Sequence, residues 1–298
     1  PGSYVTIDRK WKKGDVIDLS FPMHNSVKYL PNVPKYVALM HGPILLGMKT
    51  GTEDLAHLIA DDSRFGQYAS GAKLPLDGAP ILIDDHIDRI AEHLHPVAGK
   101  PLHYTLDIKM ENPLRNEIQP FFEIHDARYM MYWLTLSEQG YKDYLEGLAR
   151  AEKERQELEA RTVDKVQPGE QQPETDHKME TNGSSTGNNN DVFFRDARNG
   201  RFFSYLMKTD GRTDLSLRLQ FWGVGEWKTH EFDIFVDDAL LTSVNNTGKY
   251  RISEFKYETF PIPASMLEGK DQVRVKFVAK PGKQVGEIYG VRLVAPQK

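Results

Sequence analysis

The sequence contains no cysteine. This absence excludes a thiol nucleophile, a zinc site with thiolate ligands and any disulfide within the chain. No apolar run approaches the roughly 18 residues that a membrane-spanning helix needs, so no membrane span is predicted. Neither sign of charge dominates: the formal net charge is -5, with basic and acidic residues interspersed. A chain of this kind lacks the basic patch that phosphate backbones require, and we expect no nucleic-acid partner.

The length of 298 residues predicts two domains of about 100–200 residues each. Alternating apolar residues in 4–21, around a turn at 12–15, predict a β-hairpin. Residues 52–60 and 84–93 predict short helices. The densest aromatic segment, residues 120–136, predicts a central strand packed on both faces, with a bend at its polar residues 125–128. Together these features predict a β-sandwich domain over residues 1–136.

From Ser137 the apolar period changes from two to about 3.6. Ser137 is a candidate N-cap, and one apolar stripe follows it among charged residues. The stripe consists of Tyr141, Tyr144, Leu145, Leu148 and Leu158. It is too sparse for a buried helix, so residues 137–162 are predicted to form a long surface helix that joins two domains.

The remainder, residues 163–298, predicts a second all-β domain. Residues 161–191 are rich in turn-forming types, and NGSSTGNNND within them predicts a solvated loop. About seven strands then follow at a spacing of roughly ten residues, which is typical of an antiparallel sandwich. The segments FDIFVDDALLTSV and GEIYGVRLV fit a galactose-binding-like jelly roll.

The segment FWGVGEW supplies the candidate carbohydrate-binding residues Trp222, Glu226 and Trp227. Sugars present flat C–H faces that stack on aromatic rings, while nearby polar groups bind their hydroxyls. Tyr257 and Arg251 contribute only if the fold brings them close. In the alternative interpretation, Trp222 ends a core strand and Trp227 packs on a neighbouring element.

Carboxylate pairs invite a glycosidase hypothesis, because hydrolysis of glycosidic bonds uses two carboxyl groups about 5–10 Å apart. The pairs are Asp61-Asp62, Asp84-Asp85 and Asp237-Asp238. Turn chemistry explains Asp237-Asp238 better. His125-Asp126 is an acid/base candidate, but neighbouring strand residues point to opposite faces. We therefore assign no catalytic residue.

The histidines do not show the spacing of a metal motif. His93 and His95 are the one close pair, and an exposed loop explains them. Residues 188–191 offer oxygen ligands of the type that calcium prefers, without an ordered spacing. We therefore predict no metal site, with a structural calcium as the open alternative.

Two further segments, YVTIDRKWKKGDVIDLSFPM and YVALMHGPILLG, together with PFFEIHDARYMMYW, carry a family resemblance. They resemble the region after the catalytic barrel in β-L-arabinofuranosidase-type glycoside hydrolases of family 127 and its bacterial relatives. His41 stands where many members have arginine. The segment PGEQQPETDH and the sandwich after it resemble an accessory domain appended to some members.

This resemblance implies a non-catalytic portion of a glycoside hydrolase that acts on arabinose-containing plant polysaccharide. The family's catalytic barrel carries a zinc-held cysteine nucleophile, and none of those residues has a counterpart here. The expected partner is the enzyme's own catalytic domain, in a periplasmic or secreted bacterial protein. Three functions stay open: structural support of that barrel, carbohydrate binding by the second sandwich, and hydrolysis by paired carboxylates.

Overall fold

The computed structural model describes residues 4–53, 55, 78–112, 117–189, 191–223 and 229–297. The chain divides into two compact units, Pro1–Leu148 and Ala149–Lys298, and the division falls within one helix. Both units consist mainly of β-strands arranged in sheets. The predicted fold class, two all-β sandwich domains joined by a helix, is confirmed.

Besides the beginning of the helix that the division cuts, the described part of the first unit contains ten strands and two short 3-10 helices. The strands are β1 (Asn25–Leu30), β2 (Val33–His41), β3 (Ile44–Gly51), β4 (Ile81–Ile83), β5 (Leu94–Pro96), β6 (Tyr104–Leu106), β7 (Lys109–Glu111), β8 (Glu117–Pro120), β9 (Arg128–Met130) and β10 (Trp133–Leu136). The 3-10 helices are Ile87–His93 and Phe121–Glu123. The short helix predicted near residue 90 therefore exists, whereas the one predicted at residues 52–60 lies largely outside the described residues.

The strands of the first unit are hydrogen-bonded in the order β5-β6-β8-β3-β2-β10-β4-β7, with β1 on β2 and β9 on β3. Only the β4–β10 pair is parallel among these described strands. The core contains side chains from both ends of this order, such as Leu94 of β5 and Leu82 of β4, together with the fully buried Leu39, Met48 and Trp133. The strands thus fold over one another around a shared core.

The aromatic segment 120–136 is not one central strand. It contains the end of β8, a 3-10 turn, β9 and β10. Of these strands, β8 lies between β6 and β3 and β10 lies between β2 and β4, and β10 buries Trp133 completely. Phe122 and Tyr129 are half exposed, and Asp126 has a φ of 49°, which produces the bend predicted there. The left-handed residue interrupts the alternation, so the aromatic side chains do not all reach the core.

The hairpin predicted over residues 4–21 is wrong for the described residues, which form no regular strand before β1. The turn itself exists: the Asp15 amide donates to the Lys12 carbonyl at 3.1 Å. Large apolar side chains along this segment are exposed, namely Tyr4, Val5, Ile7, Trp11, Val16, Ile17, Leu19 and Phe21. The alternation of apolar residues is not sufficient to form a strand here, because no strand of the described chain pairs with these residues.

Helix α1 runs over Glu138–Arg161 and has no buried residue. The Ser137 hydroxyl oxygen accepts from the Gly140 amide at 2.9 Å, as expected for an N-cap. Among the described residues, no helix is long and apolar enough to cross a membrane.

The second unit begins with the end of α1 and contains two short helices, α2 (Gln171–Asp176) and α3 (Ala264–Leu267). Its strands are β11 (Thr162–Val166), β12 (Glu180–Thr181), β13 (Ser184–Asn189), β14 (Val192–Ala197), β15 (Phe202–Lys208), β16 (Ser216–Trp222), β17 (Glu231–Val236), β18 (Ala239–Asn245), β19 (Phe255–Pro261), β20 (Gln272–Ala279) and β21 (Ile288–Val294).

These strands form two antiparallel sheets. A six-stranded sheet has the order β13-β14-β21-β16-β19, with β11 on β21, and a five-stranded sheet has the order β12-β15-β20-β17-β18. Inward side chains of both sheets, such as Leu219 and Phe277, meet in one core. Aligned packing of two such sheets is the arrangement of a β-sandwich.

The seven strands predicted after residue 191 correspond to β15–β21, but the turn-rich interpretation of residues 161–191 is wrong. This region contains β11, α2, β12 and β13. Strand β13 has the polar sequence SSTGNN because it lies at the edge of its sheet. Gly187 belongs to it for a steric reason: a Cβ there would lie 2.4 Å from the Phe194 ring.

Truncation of Phe277 tests the sandwich core. Phe277 is fully buried in β20, and its ring lies 5.1 Å from that of Phe203. We expect Phe277→Ala to lower the free energy of unfolding by about 3–5 kcal/mol, since it removes buried area and leaves a cavity. Denaturant unfolding of the whole chain measures this. The control, Leu240→Ala, removes a side chain that is 52% exposed and should change stability by about 0.5 kcal/mol or less. Equal effects of the two variants would contradict the assigned core.

Candidate functional site

Strand β16 separates the core of the second unit from its outer surface. Its inward residues, Leu217, Leu219 and Phe221, are almost fully buried, and its outward residues alternate with them. The outward residues are Ser216, Arg218, Gln220 and Trp222. This two-residue period places a basic, an amide and an indole side chain in a line along the sheet surface.

The neighbouring strands bring further aromatic rings to this surface. Trp222 pairs with Phe255 of β19, and their ring centroids are 4.9 Å apart in an edge-to-face contact. Phe255 in turn lies 5.2 Å from Tyr289 of β21, and Tyr289 lies 5.2 Å from Phe194 of β14. Trp222, Phe255, Tyr289 and Phe194 thus form one continuous aromatic row across the sheet.

A β-bulge places Tyr289 in this row. Gln220 of β16 pairs with Gly290, but Phe221 pairs with Ile288, so Tyr289 is the extra residue of β21. Its ring is buried, and its hydroxyl lies 3.3 Å from the Asn189 side-chain amide. Burial raises the pKa of Tyr289 to about 12, so the hydroxyl stays neutral.

Beside the aromatic row the surface becomes polar. Gln220 lies opposite Tyr257, which is 51% exposed, and Gly290 on the other side leaves room for its amide. A Cβ at Gly290 would lie 3.0 Å from the Gln220 side-chain oxygen. The guanidinium of Arg218 lies 4.6 Å from the centre of the Tyr257 ring, in a cation–π contact. We call this surface, defined by Trp222, Phe255, Tyr257, Gln220 and Arg218, the outer face.

The segment after Tyr250 brings Phe255 against Trp222. The Gly223 amide donates to the Glu254 carbonyl at 3.0 Å. A Cβ at Gly223 would lie 1.8 Å from the Ile252 carbonyl oxygen. Glycine at this position is therefore required for the close approach of the two backbones.

A buried ionic network fixes the opposite end of the aromatic row. Glu174 of α2 accepts from Arg195, Tyr205 and the Gly169 amide, with the Arg195 Nε and Glu174 Oε1 atoms 2.6 Å apart. Burial alone would raise the pKa of Glu174, but these donors hold it below its ordinary value of 4.5. The network holds the turn at Gly169 against the backbone of Phe194, where a Cβ would lie 2.8 Å from the carbonyl oxygen.

The structure brings two of the predicted sugar-binding residues together. Trp222 and Tyr257 lie on the same face of adjacent strands, offset by two residues. Trp222 ends strand β16, as the alternative interpretation expects, and its side chain points outward and stays partly exposed. Glu226 and Trp227 lie outside the described residues. Arg251 is exposed in the segment before Phe255.

Sequence reasoning missed Phe255, Tyr289, Phe194, Gln220 and Arg218. The alternation in LRLQFW could have identified Arg218 and Gln220, because alternate residues of a strand lie on one face and both are an even number of residues from Trp222. Phe255 could have been identified in the same way, because it lies two residues before Tyr257 in β19 and therefore on the same face. Tyr289 and Phe194 had no such signal, since a bulge and a distant strand place them.

The other candidate residues form turns rather than a site. Asp237 has a φ of 51° in the β17–β18 hairpin, where it accepts from the Arg274 amide at 2.8 Å. Asp84 accepts from the His86 amide, and Asp85 from the Glu138 amide. Asp61 and Asp62 lie outside the described residues. His125 and Asp126 are exposed at their bend.

The candidate metal ligands are also dispersed. His93 lies 3.9 Å from the Asp84 carboxylate, and His95 is exposed in β5. Asn188 and Asn189 belong to β13, Asp191 lies in the following turn, and Asn190 is outside the described residues. Within the described ranges, no group of three or more histidine, cysteine, aspartate or glutamate side chains could hold a metal ion.

Substitution of Glu174 tests the ionic network. We expect Glu174→Gln to lower the free energy of unfolding by about 3–5 kcal/mol at pH 7, because it leaves the buried Arg195 without its counter-charge. The pKa of Glu174 is depressed on folding, so the wild-type advantage exists above pH 4.5 and is lost as the pH falls through the lowered value. Urea unfolding of wild type and Glu174→Gln at several pH values measures this difference in the free energy of unfolding. The control Glu180→Gln alters a carboxylate that is 60% exposed, and should change stability by less than about 1 kcal/mol. A pH-independent difference between wild type and Glu174→Gln would contradict the assignment.

Two family models match the chain. Residues 26–135 match a domain of unknown function, DUF4986. Residues 157–294 match a family of unknown function, DUF6805. No curated protein matches the sequence.

Several solved structures are similar to part of the chain. A family 35 carbohydrate binding module from an environmental isolate has 13% identity and a TM-score of 0.34, covering 45% of this chain and 93% of that one. A family 35 module from Clostridium thermocellum has 8% identity and a TM-score of 0.35, covering 45% and 100%. A carbohydrate-binding module CBM36, in complex with calcium and xylotriose, has 12% identity and a TM-score of 0.31, covering 44% and 99%.

Proposed function

We propose that the second unit binds carbohydrate on its outer face. The observation that carries this proposal is the placement of Trp222, Phe255 and Tyr257 on one sheet surface around the amide of Gln220. Aromatic rings offer apolar area to the C–H faces of sugars, and an amide can both donate to and accept from hydroxyl groups. Side chains that follow one another along a strand suit a polymer that passes across the sheet.

The binding partner in this proposal is a plant polysaccharide, and the chain acts as a binding accessory to a hydrolase of arabinose-containing polymers. Such a role belongs in the periplasm or outside a bacterial cell, where these polymers occur. None of the five residues that define the outer face is acidic, whereas glycoside hydrolysis uses a pair of carboxylates. The proposal is therefore binding without bond cleavage.

Truncation of the two outward aromatic side chains tests this function. We expect Trp222→Ala and Tyr257→Ala each to weaken polysaccharide binding by about tenfold or more, since central aromatic contacts dominate such interfaces. Affinity electrophoresis against arabinan, arabinogalactan, galactan, xylan and polygalacturonate measures it with the whole chain. The control is Tyr129→Ala, which removes a tyrosine of the first unit that is 48% exposed. Absence of binding to every polymer, or equal binding by all three variants, would overturn the proposal.

We propose a different role for the first unit, which is to pack against the catalytic domain of a glycoside hydrolase. The apolar side chains exposed over residues 4–21 favour this role, because contiguous apolar patches on a protein surface mark interaction sites. Leu19 and Phe21 are 73% and 79% exposed.

Polar substitution of this segment tests that role on the chain itself. We expect the double variant Leu19→Ser, Phe21→Ser to keep the free energy of unfolding within about 0.5 kcal/mol of wild type, since neither side chain packs in the described core. Binding of a hydrophobic dye to the folded protein should fall. A loss of more than about 1 kcal/mol would mean that the segment stabilises its own chain, and would contradict a partner-facing role.

A further inference from the structure

Arg218 is the residue of the outer face whose charge is not balanced. Its Nε atom is buried, and among the described residues it has no hydrogen-bond partner. Nor does a carboxylate of the described chain pair with its guanidinium, which rests on the Tyr257 ring instead. Arg218 as a whole is partly exposed, but its buried Nε is a donor without an acceptor, which raises the free energy of the unliganded protein, and an incoming anion would relieve it.

Two more arginines lie next to Arg218. Arg292 of β21 is its cross-strand partner, and Arg161 ends helix α1. Burial lowers the pKa of Arg218, and the positive charges of Arg161 and Arg292 lower it further. Like charges side by side are unfavourable in a folded protein, and a bound anion would reduce their repulsion.

The carboxylate paired with Arg292 does not neutralise this group. Glu159 accepts from Arg292 at 2.7 Å and also binds Lys165. These two cations lower the pKa of Glu159 to about 2, so one negative charge is shared between them. The Arg161 side chain donates to the Ala295 carbonyl, which carries no net charge. The end of the outer face at Arg218 therefore keeps a positive excess.

The spacing along β16 connects this positive end to the aromatic row. Arg218, Gln220 and Trp222 are alternate residues, so a rise of about 3.3 Å per residue puts Arg218 about 13 Å from Trp222. That span accommodates more than one sugar ring. A polymer stacked on Trp222 and Tyr257 would present its substituents to the guanidinium of Arg218.

We propose that the outer face selects acidic polysaccharide, with Arg218 binding the carboxylate of a uronic acid residue. Arginine fits a carboxylate because its planar fork can donate two parallel hydrogen bonds. This inference rests on the proposed carbohydrate-binding function and adds the substrate class. It assigns stacking to the aromatic residues and charge recognition to Arg218.

The test compares polysaccharides that differ only in their carboxyl groups. Polygalacturonate and glucuronoxylan are each used before and after chemical reduction of the carboxyl groups to alcohols. Titration calorimetry with the whole chain should show about tenfold weaker binding of the reduced polymers, as expected for loss of a charge-assisted hydrogen-bonded pair. Binding of the acidic forms should weaken as salt rises, and binding of the reduced forms should not.

Arg218→Gln should abolish the preference for the acidic polymer, so that the acidic and reduced forms of one polymer bind this variant with equal affinity. The control is Arg212→Gln, which alters an exposed arginine already paired with Asp214 and should keep the full preference. Thermal unfolding of both variants verifies that they fold. Trp222→Ala should weaken acidic and reduced forms alike.

Equal affinity for acidic and reduced polymers would overturn the inference and leave carbohydrate binding intact. The inference also fails if Arg218→Gln keeps the preference, or if single-stranded oligonucleotides bind as tightly as the uronates. Failure of every polymer to bind would overturn both the inference and the proposed function.

Discussion

The two-residue period of β16 is the constraint on which the second unit depends. The strand has a hydrogen-bonded partner on each side, β19 and β21, and its inward residues fill the core while its outward residues form the outer face. A register slip of one residue would bury Arg218 and expose Leu217, which is prohibitively unfavourable. Core and site are therefore two faces of one element, and the packing of one fixes the geometry of the other.

The Glu174–Arg195 network supports this arrangement from the side. Burial of a carboxylate and a guanidinium is unfavourable unless every lone pair and proton is satisfied, and here Glu174 has several donors. The network fixes the positions of its elements, because Glu174 connects α2 and the turn at Gly169 to β14 and β15 through these hydrogen bonds. Phe194 is thereby held beside Tyr289, and the aromatic row extends across the sheet.

The first unit distributes its apolar residues differently. Its short strands bury Trp133 and a small set of aliphatic residues, and leave Phe122, Tyr129 and the apolar residues before β1 at the surface. The second unit encloses a larger aromatic core between two complete sheets. The two units thus differ in how they place their apolar side chains: the first leaves many at its surface, and the second buries them in its own core.

Much of the architecture could be predicted, because alternation of period two and the change to 3.6 are local properties of the chain. They indicated the all-β class, α1 with its Ser137 cap, and strands β15–β21. The errors have physical causes. The polar composition of β13 does not predict a strand; it is a strand because it pairs with β14 at the edge of the sheet. Residues 4–21 alternate without a sheet edge of the described chain to pair with.

For the candidate site, the sequence by itself determined the side-chain types, and it determined which residues of each strand share a face, because alternate residues of a strand point to the same side. These residues are Arg218, Gln220 and Trp222 in β16 and Tyr257 in β19. Only the tertiary structure decided which strands lie side by side. The pairing of β16 with β19, the bulge at Tyr289 and the arrival of Arg161 from α1 depend on contacts between residues far apart in the chain. No local pattern records such contacts, since their free energy arises only when the sheets have assembled.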